Sequence, residues 1–154
     1  NMKLKKVLAE KQDKKLYVIE SGSTVRDAAK KLVGMNTGCL MVVEKNTEPL
    51  KFTGIVTKSD IVRSVSANTS KPDEDKVDDF MTRQMIVASC EDDVEYVMNV
   101  MVRHNISHLP VIEGKAISGV ISKADILESL NVEQDIELHW LSDYSGVSSK
   151  NEVY

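Results

Sequence analysis

No apolar run in these 154 residues approaches the ~18 that a membrane helix needs, so the chain is not expected to cross a bilayer. Cysteine is scarce. Cys39 and Cys90 fit neither a disulfide framework nor a metal site by spacing. Cys39, just ahead of Leu40-Met41-Val42-Val43, reads as a small hydrophobe. Positive charge is in deficit: a net charge of −4 and a pI near 5.4 argue against nucleic acid as a partner, because neutralising phosphates takes a basic face. The early lysines (Lys3, Lys5, Lys6, Lys11, Lys14 and Lys15) have no apolar stretch behind them. They read as solvated surface and not as a secretory signal, which leaves the cytoplasm as the expected location. Also missing are a nucleophile–base pair, a carboxylate dyad, a Gly-rich phosphate loop and a zinc cluster. His104 and His108 are four apart beside Arg103, but no third ligand accompanies them. The chain is therefore not expected to be an enzyme, or to need a metal or cofactor.

What is present suits a folded soluble chain: 42% hydrophobic and 29% charged residues. A chain of this length buries roughly 68–70% of its unfolded surface, enough for a core. It also repeats itself. Gly54-Ile55-Val56-Thr57-Lys58-Ser59-Asp60-Ile61-Val62 returns 65 residues later as Gly119-Val120-Ile121-Ser122-Lys123-Ala124-Asp125-Ile126-Leu127. Upstream the offset is 69, pairing Val25 with Val94, Asn36 with Asn105 and Leu40 with Leu109. The difference of four falls in one turn, nine residues long at 45–53 and five at 114–118.

Each copy predicts the order strand, helix, strand, strand, helix, an α/β fold. Val25, Ala28, Ala29, Leu32 and Val33 have the spacing of an amphipathic helix, repeated by Val94, Val97, Met98, Met101 and Val102. β-prone runs precede these helices at Leu16–Ile19 and Met85–Val87, and two more follow each. The expected organisation is repeat 1 at 1–66, a polar linker at 67–76, repeat 2 at 77–130, and a C-terminal helix and tail at 131–154. That last helix would span Val132 to Tyr144 through Ile136, Leu138, Trp140 and Leu141. A unit of roughly 60 residues is marginal alone, so the copies should pack together.

The chemistry concentrates at two strand-to-helix turns, Thr57-Lys58-Ser59-Asp60 and Ser122-Lys123-Ala124-Asp125. A carboxylate in the first helical turn can accept hydrogen bonds from ribose hydroxyls. The hydroxyl side chain three residues earlier, with the helix N-terminus, can meet a phosphate. The same tetrapeptide is also the capping-box signature, in which both side chains serve only the backbone. Read alone, the two turns are caps. Lys58 and Lys123 could offset phosphate charge, or could simply be solvated.

Val77-Asp78-Asp79-Phe80-Met81-Thr82, His108-Leu109-Pro110-Val111-Ile112 and Gly119 to Ile126 resemble the second copy of a cystathionine-β-synthase-type (CBS) domain pair. Ser23-Thr24-Val25-Arg26-Asp27-Ala28-Ala29 and Gly54 to Ile61 resemble the first. The resemblance implies a pseudo-symmetric disc of two repeats with a cleft between them. It implies that AMP, ADP, ATP or S-adenosylmethionine binds there, with Asp60 and Asp125 on ribose and Thr57 and Ser122 near phosphate. The adenine slot would come from Val18, Ile19, Ile86, Val87 and the Leu109-Pro110 turn, with His108 or Arg103 on phosphate. It further implies a stand-alone regulatory module, commonly a homodimer, acting on an unknown protein partner. The rival reading is a ligand-free dimerisation module. Because the turn at Ser107-His108-Leu109-Pro110 is stiffened by proline while Gly38-Cys39-Leu40-Met41 is not, the site built around Asp125 is expected to be the tighter one.

Overall fold

The chain opens with a helix that the sequence did not predict, on which Lys5 and Lys6 are exposed, as expected of solvated surface. In the computed structural model, which describes residues 1–130 and 137–154, α1 spans Leu4–Glu10. Repeat 1 then runs β1 (Val18–Glu20), α2 (Val25–Gly34), β2 (Cys39–Val43), β3 (Phe52–Thr57) and α3 (Lys58–Ser66). Repeat 2 runs β4 (Ala88–Ser89), α4 (Val94–Arg103), β5 (His108–Glu113), β6 (Ala116–Ser122) and α5 (Lys123–Ser129). The two three-stranded sheets are ordered β1-β2-β3 and β4-β5-β6. In each, the first pair is parallel and the hairpin antiparallel. Both hairpins break register at the same place, Val42/Val43 and Val111/Ile112.

Local rules explain the long helices. Thr24 and Asp27 form a capping box at the start of α2. Both α2 and α4 end on an asparagine in the left-handed region, Asn36 (φ 49°) and Asn105 (φ 51°), a conformation asparagine tolerates better than most residues. The amides of Thr37 and Ile106 then reach back to the carbonyls of Leu32 (3.1 Å) and Met101 (2.9 Å), closing the last turn. This fixes the chain's exit into β2 and β5. Two predicted apolar positions point outward: Val33 is 81% exposed and Val102 66%.

Each repeat's core is completed by the segment that precedes the other repeat. Leu4 and Val7 of α1 are buried with Val94, Val97, Met101, Leu109 and Ile121 of repeat 2. Val77 and Met81 are buried with Ala28, Leu32, Leu40 and Val56 of repeat 1. The equivalence is detailed. Val94 donates to Met2 (2.9 Å) as Val25 donates to Asp75 (2.8 Å), and Lys3 bridges Asp93 as Lys76 bridges Thr24. A third cluster joins the halves, with Cys39, Met41 and Ile55 packed against Met85, Ile117 and Val120. The 67–76 segment is thus more than a spacer, since Pro72 and Asp75 accept the first amides of α2.

The expected C-terminal helix is not seen in its described part. Residues 137–154 carry a 3₁₀ turn at Leu141–Asp143, with Trp140 63% exposed and Leu138 68%. Without a core to cover its apolar residues, that stretch gains nothing from helical order. Its beginning, 131–136, lies outside the described residues.

Candidate functional site

Both strand-to-helix turns form capping boxes. Thr57 Oγ1 accepts from the Asp60 amide (3.4 Å), and Asp60 Oδ2 accepts from the Thr57 amide (2.8 Å) and hydroxyl (3.1 Å). Ser122 Oγ accepts from the Asp125 amide (3.1 Å), and Asp125 Oδ2 from the Ser122 amide (2.8 Å). The cap engages one carboxylate oxygen in each case. Asp60 Oδ1 instead takes Arg63 at 2.6 Å; the Arg63 side chain is 62% exposed and that of Asp60 only 7%.

Each turn lies at the floor of a cleft, and the clefts are unequal. The larger, about 600 Å³, holds Thr57, Lys58, Asp60 and Arg63 on one side. Its opposite wall is Met85, Ile86, Ile106, His108 and Pro110 from the neighbouring repeat. The smaller, about 220 Å³, is bounded by Ser122, Asp125 and Val120, with Lys11, Asp13, Tyr17 and the Asn36–Cys39 turn across from them. Each cleft therefore pairs the aspartate of one repeat with the helix-exit turn of the other.

That crossing removes the ground of one expectation, that the Asp125 site is the tighter. The proline-stiffened turn Ser107-His108-Leu109-Pro110 does not wall the cleft of Asp125 alone. His108 borders both clefts, while Ser107 and Pro110 border that of Asp60. The argument that made Asp125 the tighter site thus transfers to Asp60, because packing between repeats, invisible in either copy read alone, decides the pairing. Six residues expected in the site border neither cleft: Arg103, Ile19 and Leu109, the last two buried in the cores of their own repeats, and Val18, Val87 and Lys123. Val18 packs in the cluster between the repeats, and its carbonyl accepts from Lys31. Val87 is 46% exposed and borders neither cleft. Lys123 also borders neither; its amide donates to the Ser107 carbonyl at 3.2 Å. The structure brings together Thr57, Lys58, Asp60, Ile86, His108 and Pro110 in one cleft, and Ser122, Asp125 and His108 in the other.

His108 sits where the clefts meet. Its imidazole lies against Gly38, where a Cβ would come 2.7 Å from Nε2, so only glycine fits beneath the ring. Burial pushes the imidazole pKa below its ordinary value; Asp125 opposes this, while Lys11 and Lys58 reinforce it. Burial likewise raises the Cys39 thiol to about 11, so it is not a thiolate at neutral pH.

Two residues of this region were missed in the sequence. Arg63 was signalled by its position three after Asp60, where helical neighbours meet. Lys11, whose ammonium lies 3.0 Å from Asp125 Oδ2 and donates to the Val120 carbonyl at 2.8 Å, gave no such signal. Its tie to Asp125 spans most of the chain.

Taken together, these features define a tandem-repeat α/β module with two pseudo-equivalent interdomain clefts, each floored by a capped helix N-terminus. A family model for the CBS domain matches residues 12–67 and 77–132. The chain belongs to the CBS domain family and holds two copies in tandem. It is 33% identical over 123 residues to the CBS domain-containing protein CBSX3, mitochondrial, of Arabidopsis thaliana, covering 79% of this chain and 59% of that protein. The chain thus spans well under two thirds of that relative's length. Among solved structures, it is similar to the CBS domain pair of protein MJ0100 in complex with 5′-methylthioadenosine and S-adenosyl-L-methionine (TM-score 0.69, 26% identity, 84% of this chain and 100% of that one). It is also similar to the hexameric CBS-CP12 protein from bloom-forming cyanobacteria (TM-score 0.68, 31% identity, 82% and 70% covered). Among the described residues no helix is long and apolar enough to cross a membrane, and no group of three or more His, Cys, Asp or Glu could hold a metal.

Proposed function

We propose that this chain is a regulatory, non-catalytic module that binds an adenosine compound (AMP, ADP or ATP, with S-adenosylmethionine as a further member of the class) in the cleft of Asp60. The observation carrying this reading is the cleft's chemistry. Its volume of about 600 Å³ falls within the ~300–1,000 Å³ of small-molecule sites. Met85, Ile86, Ile106 and Pro110 offer an apolar wall for a base. Asp60 offers a carboxylate to ribose hydroxyls once Arg63, on the exposed face of α3, swings toward solvent. Lys58, Arg63 and the N-terminus of α3 offer positive charge to a phosphate. The MJ0100 pair, with its two adenosyl ligands, supports the same class. Binding would regulate by favouring one shape of the module over another, which requires unequal affinity for the two.

Thermal melting tests this directly. A ligand at 100 times its dissociation constant adds about 2.7 kcal/mol, or roughly 5–10 °C for a chain of this size. Unchanged melting with AMP, ADP, ATP, 5′-methylthioadenosine and S-adenosylmethionine would remove the reading.

A second reading, a ligand-free association module, is favoured by the outer helices. Val33, Val62 and Val65 on α2 and α3, Val102 and Leu127 on α4 and α5, and Leu130 just after α5 are all exposed. Such faces favour cover by a second copy, and we propose a homodimer in either case. Light scattering decides: 17.2 kDa is the monomer mass, and a mass of one chain, or of six, rejects the dimer. The cytoplasm remains our proposed location beside a mitochondrial relative, and cell fractionation separates the two.

A further inference from the structure

We infer that Lys11 is a built-in latch on the cleft of Asp125, so that each chain takes one nucleoside ligand, at Asp60, and residue 11 sets that number. The inference rests on the proposed function and adds to it the stoichiometry and the residue that fixes it. Lys11 Nζ lies 3.0 Å from Asp125 Oδ2 and donates to the Val120 carbonyl at 2.8 Å. Only 22% of its side chain, and 16% of that of Asp125, is exposed. The ammonium stands inside the cleft on Oδ2, the oxygen that also accepts the Ser122 amide, and takes up the room beside the carboxylate. Moving it away would strip the ion pair from a largely buried carboxylate, leaving Oδ2 the Ser122 amide, and would take the ammonium donor from the Val120 carbonyl. The remaining volume, about 220 Å³, is below the ~300 Å³ lower end of small-molecule sites.

The cause is a length difference in the segments that precede the repeats. Leu4 corresponds to Val77 and Leu8 to Met81, an offset of 73, so Lys11 corresponds to Gln84. After the 3₁₀ turn Val77–Asp79 the chain straightens, and Thr82 pairs with Ile55 on the edge of β3 (2.8 and 2.9 Å). Gln84 then borders the large cleft without bonding Asp60. In the other copy α1 continues through Glu10. No such strand pairing forms, and the Lys11 side chain reaches Val120, the counterpart of Ile55, in its place. Arg63 on Asp60 is not an equivalent lock, being 62% exposed and reaching from α3 itself.

Calorimetric titration of the full chain with AMP, and in parallel with 5′-methylthioadenosine, tests the latch. Wild type should take one equivalent, retained in Asp125→Ala. Lys11→Gln, which installs the residue of the open cleft and keeps a donor for Val120, should take two, as should Lys11→Ala. Adding Asp125→Ala to Lys11→Gln should return the count to one. Two equivalents in wild type, or one in both Lys11 variants with native-like melting, overturns the latch and leaves the proposed function standing. One equivalent appearing only in the Lys11 variants supports the latch and moves the nucleoside site to Asp125. No heat with any of these proteins overturns both.

Discussion

The two clefts are copies of one design, and they differ most where the chain outside the repeats meets them. At Asp60 the preceding segment turns once, extends and joins the sheet edge, leaving an open trough. At Asp125 it stays helical through Glu10 and delivers Lys11 onto the carboxylate. The capping boxes beneath are nearly identical. Duplication thus preserved the local turn, and the flanking helix diversified the site.

The largest effect that can test this comparison is on stability. Leu4 is fully buried in the core of repeat 2, so Leu4→Ala should cost about 2–5 kcal/mol in denaturant unfolding. A cost under 0.5 kcal/mol would mean that α1 is not docked, and the contrast between the clefts would lose its cause.

Next comes affinity. Asp60→Ala should weaken binding of the adenosine ligand ten- to hundredfold, the worth of about 1.5–3 kcal/mol for a hydrogen bond to a charged group. Asp125→Ala should leave it within twofold. The reverse ranking by calorimetry would restore the assignment that the sequence favoured.

The paired glycines give a third test. A Cβ on Gly54 would lie 2.6 Å from Met81 Sδ and 2.9 Å from the Thr82 carbonyl, whereas on Gly119 it would meet only Leu8 Cδ2, at 3.1 Å. Gly54→Ala should cost about 1–3 kcal/mol by overpacking, and Gly119→Ala distinctly less, since a leucine tip yields more readily than a paired backbone. Equal losses would show that the two segments pack alike.

The smallest expected effect is on pH dependence. The His108 pKa is lower in the folded chain than in the unfolded one, chiefly by burial. The unfolded state therefore binds more protons across the interval below the ordinary imidazole value, and stability falls as pH drops through it. Melting followed from pH 7.5 to 5 should decline more steeply in wild type than in His108→Asn. Parallel curves would mean that His108 is not buried between the clefts.

Much of the fold was legible because its causes are local. The helical spacing along Val25 to Leu32 and Val94 to Met101 and the Thr57 and Ser122 capping signatures act between residues at most one or two turns apart. The repeat offset then showed that two copies must share one topology. The lysines at the start of the chain are largely exposed as read, but the helix that carries Leu4 and Val7 was not legible because its burial depends on a partner far away in sequence. Leu4 and Val7 look like isolated apolar residues among lysines until repeat 2 is folded beneath them.

The sequence by itself determined two strand-helix-strand-strand-helix repeats, a capped aspartate in each and family membership, since periodicity, turn chemistry and duplication are written in neighbouring residues. Tertiary structure alone decided which turn faces which aspartate, that α1 belongs to the core of the second repeat, and that Lys11 bonds Asp125 while Asp60 keeps an open cleft. Those outcomes depend on how two small, incompletely covered sheets bury their faces against each other and against each other's leading segments. That arrangement minimises exposed apolar area over the whole chain, and no short window of residues encodes it.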